Sequence, residues 1–122
     1  MTDEKTRVAD GSDDHENTVM LRGRVSSGPE RRDLPSGAEI VTVRVSVPRS
    51  PTPMTRGSKQ TVDWVDCVAW GGSARRSVAS WSVGETVEVQ GSLRRRFYRG
   101  PQGTANRLEL EVLRGRRVGR RA

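Results

Sequence analysis

A single all-β domain, a five-stranded barrel with one short helix between its third and fourth strands, is the fold class this sequence predicts. Three observations predict it. The chain has 122 residues, enough for one domain with one core and too few for two. Apolar and polar residues alternate with period two in several short segments, most clearly at 41–47, where Val41, Val43, Val45 and Val47 alternate with Thr42, Arg44 and Ser46. One segment alone, 71–84, carries helical spacing. The apolar fraction, 32%, is low until the polar ends and a Pro/Ser/Thr-rich middle are set aside as segments that need not enter a core.

Along the chain, residues 1–17 hold six acids against Lys5 and Arg7 and lack apolar periodicity, so they are expected to form a disordered acidic arm of net charge −4. The barrel is expected over 18–113. Residues 18–25 read as the first strand, with Gly23 permitting the bend or close backbone approach found at barrel corners. A turn-rich stretch, 26–37, follows. The second strand is 41–47. Residues 48–59 contain three prolines, a glycine and the cations Arg49, Arg56 and Lys59, which excludes an internal strand and predicts a long mobile loop. Loops of that length without structure are uncommon unless functional.

Residues 60–70 are rich in β-formers and read as the third strand. Gly71, Gly72 and Ser73 are placed to cap a short helix in which Ala74, Val78 and Trp81 recur at i, i+4 and i+7, with Gly84 as its stop. The fourth strand is 85–98, with Val87, Val89, Gly91 and Leu93 on one face, and 99–103 is a turn. The fifth is 107–112, where Leu108, Leu110 and Val112 alternate against Glu109 and Glu111. Residues 114–122 are expected to be a solvated basic tail. Five strands with a helix between the third and fourth is the topology of the OB-fold, whose exposed face and loops bind oligonucleotides or oligosaccharides. An SH3-like barrel would not need a helix at that place.

Charge narrows the partner. Residues 18–122 carry 20 Lys or Arg against nine Asp or Glu. A body this basic attracts a polyanion and gains affinity by releasing condensed counterions, which makes nucleic acid the first candidate. No apolar run approaches a membrane span, and the acidic N-terminus is the opposite of a signal-peptide n-region, so a cytoplasmic, nucleoid-associated protein is expected. Cys67 is the sole cysteine and His15 the sole histidine. No intramolecular disulfide, structural zinc site, cofactor or catalytic constellation is therefore expected.

Side chains two apart on a strand share a face, so Trp64, Asp66, Val68 and Trp70 point one way and Val65, Cys67 and Ala69 the other. The carboxylate of Asp66 marks the first set as the wet face. This predicts two exposed tryptophans roughly 20 Å apart, a spacing suited to stacking separated bases. On the fourth strand Arg94, Arg96 and Tyr98 share a face with Glu88 and Gln90. Cations interleaved with an aromatic combine phosphate attraction with base stacking. Arg95 and Phe97 have core parity but lie beyond the apolar run, and are expected out in the hairpin. The candidate nucleic-acid contacts are thus Trp64, Trp70, Tyr98 and Phe97, with Arg32, Arg44, Arg49, Arg56, Lys59, Arg94 and Arg96 as cations.

The run from Asn17 to Gly23 (NTVMLRG), Gly28-Pro29-Glu30-Arg31-Arg32, Ser36-Gly37, Trp64-Val65 with Trp70-Gly71, Ala74, Gly84, the run from Val87 to Gly91 (VEVQG) and Leu93-Arg94-Arg95-Arg96 resemble, in type and order over about residues 17–113, the bacterial single-stranded DNA-binding proteins. The resemblance implies an OB-fold subunit of a homo-oligomer, commonly a tetramer, that coats unpaired DNA in replication, recombination and repair. It implies base stacking at Trp64, Trp70 and Tyr98.

Four departures stand out. Gly71-Gly72 replaces the family's usual Gly-Lys, Pro51 stands about where some members carry another aromatic, and Trp81 occupies a usually aliphatic helix position and is expected in the core. The sequence ends at Arg120-Arg121-Ala122 without an acidic tip, so recruitment of repair enzymes through such a tip is not expected. The alternative readings are an accessory resembling the primosomal replication protein, an RNA-binding OB module, or a protein-interaction module.

Overall fold

The computed structural model describes residues 14–119, so most of the expected acidic arm and the last three residues of the expected basic tail lie outside the described residues. The elements run β1 (Val19–Asp33), β2 (Glu39–Pro48), β3 (Val62–Ala69), α1 (Gly72–Ala79), β4 (Thr86–Gly100) and β5 (Gly103–Arg117). The strands close a barrel in the order β1-β2-β3-β5-β4. Every neighbouring pair is antiparallel except β3–β5, which is parallel and spans only Cys67–Leu110 and Val68–Glu111. The core is drawn from alternate residues of all five strands, including Val25, Val43, Val45, Val89 and Leu110, with Ala74, Val78 and Trp81 from the helix region closing it. The barrel and the helix after the third strand are the architecture the alternation predicts.

Several local expectations change. β1 does not stop at residue 25; it continues to Asp33 through the stretch read as turns. Its register against β2 shifts between Val25 and Ser27 and again between Ser27 and Glu30. Bulges of this kind admit a Gly-Pro pair that a regular ladder would reject. β5 likewise continues to Arg117, so residues 114–117, read as tail, are strand. Gly115 makes that possible, because a Cβ there would lie 2.9 Å from the Trp81 ring.

The helix has Gly71 as N-cap with no side-chain cap bond, and Ser80 as C-cap. Gly84 (φ +96) is not its stop but the turn into β4, with its N–H donating to Val25 O at 2.8 Å. Leu93 and Leu108 have core parity yet are exposed, because the β4–β5 hairpin runs out past the barrel that would have covered them. Val68 has wet-face parity yet is buried. It is flanked on both sides, by Thr42 of β2 and Glu111 of β5, whereas Trp64 lies where β3 has β2 alone as a ladder partner.

Two glycines allow the strands to approach. A Cβ at Gly23 would lie 2.2 Å from Ser46 O, and one at Gly91 would lie 1.7 Å from Glu111 O. These obstacles are backbone atoms and cannot swing away. Gly91→Ala should therefore cost at least ~2 kcal/mol, the scale of overpacking a close-packed core, and lower the melting temperature by roughly 10 °C. Gly119→Ala, where a Cβ meets nothing within 4 Å, should melt as the parent does. Thermal melts followed by circular dichroism check the contrast, and equal melting temperatures would refute the close-approach account.

Candidate nucleic-acid interface

The interface starts from two carboxylates and the arginines they collect. Asp66 projects from β3 directly across from Arg44 of β2. Arg44 Nε donates to Asp66 Oδ1 at 3.0 Å, and its guanidinium carbon stands 4.0 Å from the centre of the Trp64 ring. On the neighbouring strands, Glu109 of β5 is only 2% exposed despite its outer parity. Arg96 of β4 holds it in a bidentate pair, Nε to Oε1 at 2.7 Å and Nη2 to Oε2 at 3.1 Å. A buried carboxylate costs several kcal/mol unless such a pair compensates it. The Glu109 hydrogen bond also raises the Arg96 pKa above its ordinary value, so the guanidinium stays charged.

Arg96 and Arg107 lie 5.9 and 5.7 Å from the centre of the Tyr98 ring, and Arg107 Nη2 donates to the Tyr98 hydroxyl at 3.4 Å. Each half of the site therefore has the same construction: a carboxylate holds an arginine, and the arginine sits against an aromatic ring.

Arg32, Arg44, Asp66, Arg96, Arg107 and Glu109 all line one cleft of about 200 Å³ to which every strand contributes. Arg32, in an exposed pair with Glu30 at 3.2 Å, completes its rim. Trp64 and Tyr98, 53% and 39% exposed, flank the cleft through their arginines. Cys67 lies beneath it. Burial first, then the nearby charges of Asp66 and Glu109, push its thiol up to about 12, so it is no nucleophile.

The remaining candidates lie outside the cleft lining. Trp70 is exposed just past the end of β3, where its carbonyl accepts from Arg75 Nε at 3.1 Å. Arg94 pairs with Glu111 at 3.0 Å but keeps over half its side chain exposed. Arg49, whose side chain is mostly covered, pairs with Asp63 at 2.9 Å. Arg56 and Lys59 are exposed on the loop before β3 and make no ion pair among the described residues. Phe97 is the most exposed of the strand aromatics, but alternation puts it on the opposite face of β4 from Tyr98.

Sequence reasoning missed Arg107 and Glu109. A signal for both existed: a two-residue turn at Pro101-Gln102 fixes the hairpin register, which places Arg107 opposite Arg96 and Glu109 opposite Arg94. A second ionic group, Arg22–Glu88–Arg116, runs across β1, β4 and β5, with both arginines within 3.0 Å of the carboxylate. The Arg22 hydrogen bond, reinforced by Arg116, holds the Glu88 carboxyl below its usual value. Among the described residues no three His, Cys, Asp or Glu side chains are grouped as a metal site, and no helix is long and apolar enough to cross a membrane.

The model of the single-strand binding protein family matches residues 16–116. Single-stranded DNA-binding protein A of Bacillus subtilis (strain 168) is 32% identical over 87 residues, covering 71% of this chain and 49% of that protein. The single-stranded DNA-binding protein of Thermotoga maritima is 31% identical over 97 residues, covering 80% of this chain and 68% of that protein. The chain thus spans about half the length of the first of these relatives. A solved structure, the Plasmodium falciparum SSB complex with ssDNA, has a TM-score of 0.64 at 23% identity, covering 85% of this chain and 94% of that one, which is a likeness of fold. The family match takes in all of α1 and every strand but for the last residue of β5, and the chain accordingly belongs to the single-strand binding protein family.

Proposed function

We propose that this chain binds single-stranded DNA without sequence readout and without catalysis, coating unpaired DNA in the cytoplasm during replication, recombination and repair. The observation that carries the reading is the pairing of exposed Trp64 and Tyr98 with the arginines of one five-strand cleft. Aromatic faces take bases and cations take phosphates, the two contributions that hold single strands regardless of sequence. Trp70 extends the stacking surface beyond β3, and Arg56, Lys59 and the accessible side of Arg94 supply phosphate contacts. Arg32 adds to the rim, Arg49 anchors the base of the loop, and Phe97 contributes from the hairpin.

Family membership and the names of the relatives support the reading. Self-association into a dimer or tetramer belongs to the same proposal. The closed barrel leaves no fully open sheet edge, but β3 before Cys67 and the projecting hairpin have a ladder partner on one side only, and Leu93, Phe97 and Leu108 are exposed on that hairpin. Unpaired strand edges and exposed apolar side chains favour such contacts.

Titration with oligo-dT, oligo-rU and duplex DNA tests the function directly. Oligo-dT should bind with quenching of tryptophan emission and outcompete duplex, because stacking requires exposed base faces. Trp64→Ala should lose about 1–3 kcal/mol of binding without a matching loss of folding. Equal affinity for duplex and oligo-dT contradicts the proposal, and a clear preference for oligo-rU makes the chain an RNA-binding module instead.

The arginines should divide into two groups. Arg94→Ala removes an accessible cation, so the slope of log affinity against log salt should fall by about 0.7 while the melting temperature holds. Arg96→Ala strands the buried Glu109 carboxylate and should cost on the order of 3 kcal/mol of stability. Binding isotherms at several salt concentrations and thermal melts of both variants check the division, and an Arg96→Ala protein as stable as the parent would contradict it.

A further inference from the structure

Trp64 is supported from behind. In the β2–β3 ladder Arg44 stands opposite Asp66 and Ser46 stands opposite Trp64, so the ring lies one same-face step along from the ion pair. Asp66 holds Arg44 through Nε at 3.0 Å, and the guanidinium reaches the ring at 4.0 Å from its centre. At that distance a planar guanidinium covers one face of an indole. Trp64 is nonetheless 53% exposed, consistent with the face away from the guanidinium being open to solvent.

The geometry points to Asp66 and Arg44 as positioning residues for the Trp64 platform: the carboxylate fixes the guanidinium, and the guanidinium backs the ring and offers its free face to a base. The inference rests on the single-stranded DNA reading given above and assigns Arg44 a support role in place of a phosphate contact. A large side chain on a strand with one lateral neighbour would otherwise sample several orientations, and immobilising it on binding would cost affinity. Holding it beforehand removes that cost.

If charge alone governed the cleft, removing an acid would tighten polyanion binding. If Asp66 positions Trp64, removing it weakens binding.

Asp66→Ala, Asp66→Asn and Arg44→Lys test this in the full chain. With oligo-dT as the probe, Asp66→Ala and Arg44→Lys should each weaken binding about two- to five-fold, the scale of an exposed cation–π contact. Arg44→Lys keeps the charge, so its salt slope should equal the parent's. Asp66→Asn retains the Oδ1 acceptor and should recover most of the loss.

The second readout needs no DNA: the heteronuclear NOE of the Trp64 indole N–H should fall in Asp66→Ala and Arg44→Lys and return in Asp66→Asn. Tighter or unchanged binding by Asp66→Ala, parental affinity in Arg44→Lys, or an unchanged Trp64 NOE each overturns the inference. Should Asp66→Ala melt early, Arg44→Lys, which keeps the charge at a half-buried position, decides alone. Failure of the parent protein to bind oligo-dT would instead overturn the functional reading, leaving the DNA-free NOE to decide whether the support exists.

Discussion

Closure of the barrel through the short parallel contact between β3 and β5 is the constraint on which the rest depends. Two residue pairs, Cys67–Leu110 and Val68–Glu111, make that seam. β5 reaches it while still paired with β4, and Gly91 is the residue that lets β4 and β5 come close enough. One consequence is a sealed apolar interior. The other is electrostatic: closure brings Asp66 of β3 and Glu109 of β5 to one cleft floor, just before the seam on each strand. Two carboxylates in a shared site repel unless each is compensated. Arg44 from β2 and Arg96 from β4 supply the compensation, and each also lies against an aromatic ring, Trp64 and Tyr98 respectively.

This arrangement changes what the basic character of the chain means. Charge counted along the sequence suggests a surface of free cations. Among the described residues ten arginines, from Arg22 to Arg117, are in ion pairs. Many of these cations organise the protein's own surface. Exposed pairs of this kind add little to stability. The Arg96–Glu109 pair is the exception, because one partner is buried and cannot be left alone. Long-range attraction for a polyanion survives the pairing, since the net charge remains positive, while close contacts fall to the accessible cations.

The architecture was legible because valine alternation at 41–47 and 87–89 is a local signal with one physical meaning, and because the helix spacing of Ala74, Val78 and Trp81 stands apart from it. The outward parity of Trp64 could be read from Asp66 on the same face. What went unread was set by neighbouring strands. Val68 shares parity with Trp64, and only the seam buries it. Residues 26–33 carry turn chemistry, yet bulges against β2 keep them in a strand. Residues 114–117 look like a solvated tail, yet they pair with β4 and pass under Trp81. Arg96 read as a free phosphate contact because Glu109, thirteen residues away, becomes its neighbour only through the hairpin.

Mapping the three indole N–H signals in a two-dimensional NMR titration with oligo-dT tests the central claim, that closure sets an aromatic platform beside an arginine cleft on one face of the barrel. Trp64 and Trp70 are exposed and Trp81 is buried beside Gly115 on the helix side. The account predicts that the Trp64 signal shifts most, Trp70 follows, and Trp81 stays in place, with amide shifts gathered on Arg44, Asp66, Arg96 and Arg107. Shifts centred on Trp81 and α1, with Trp64 unmoved, would contradict it.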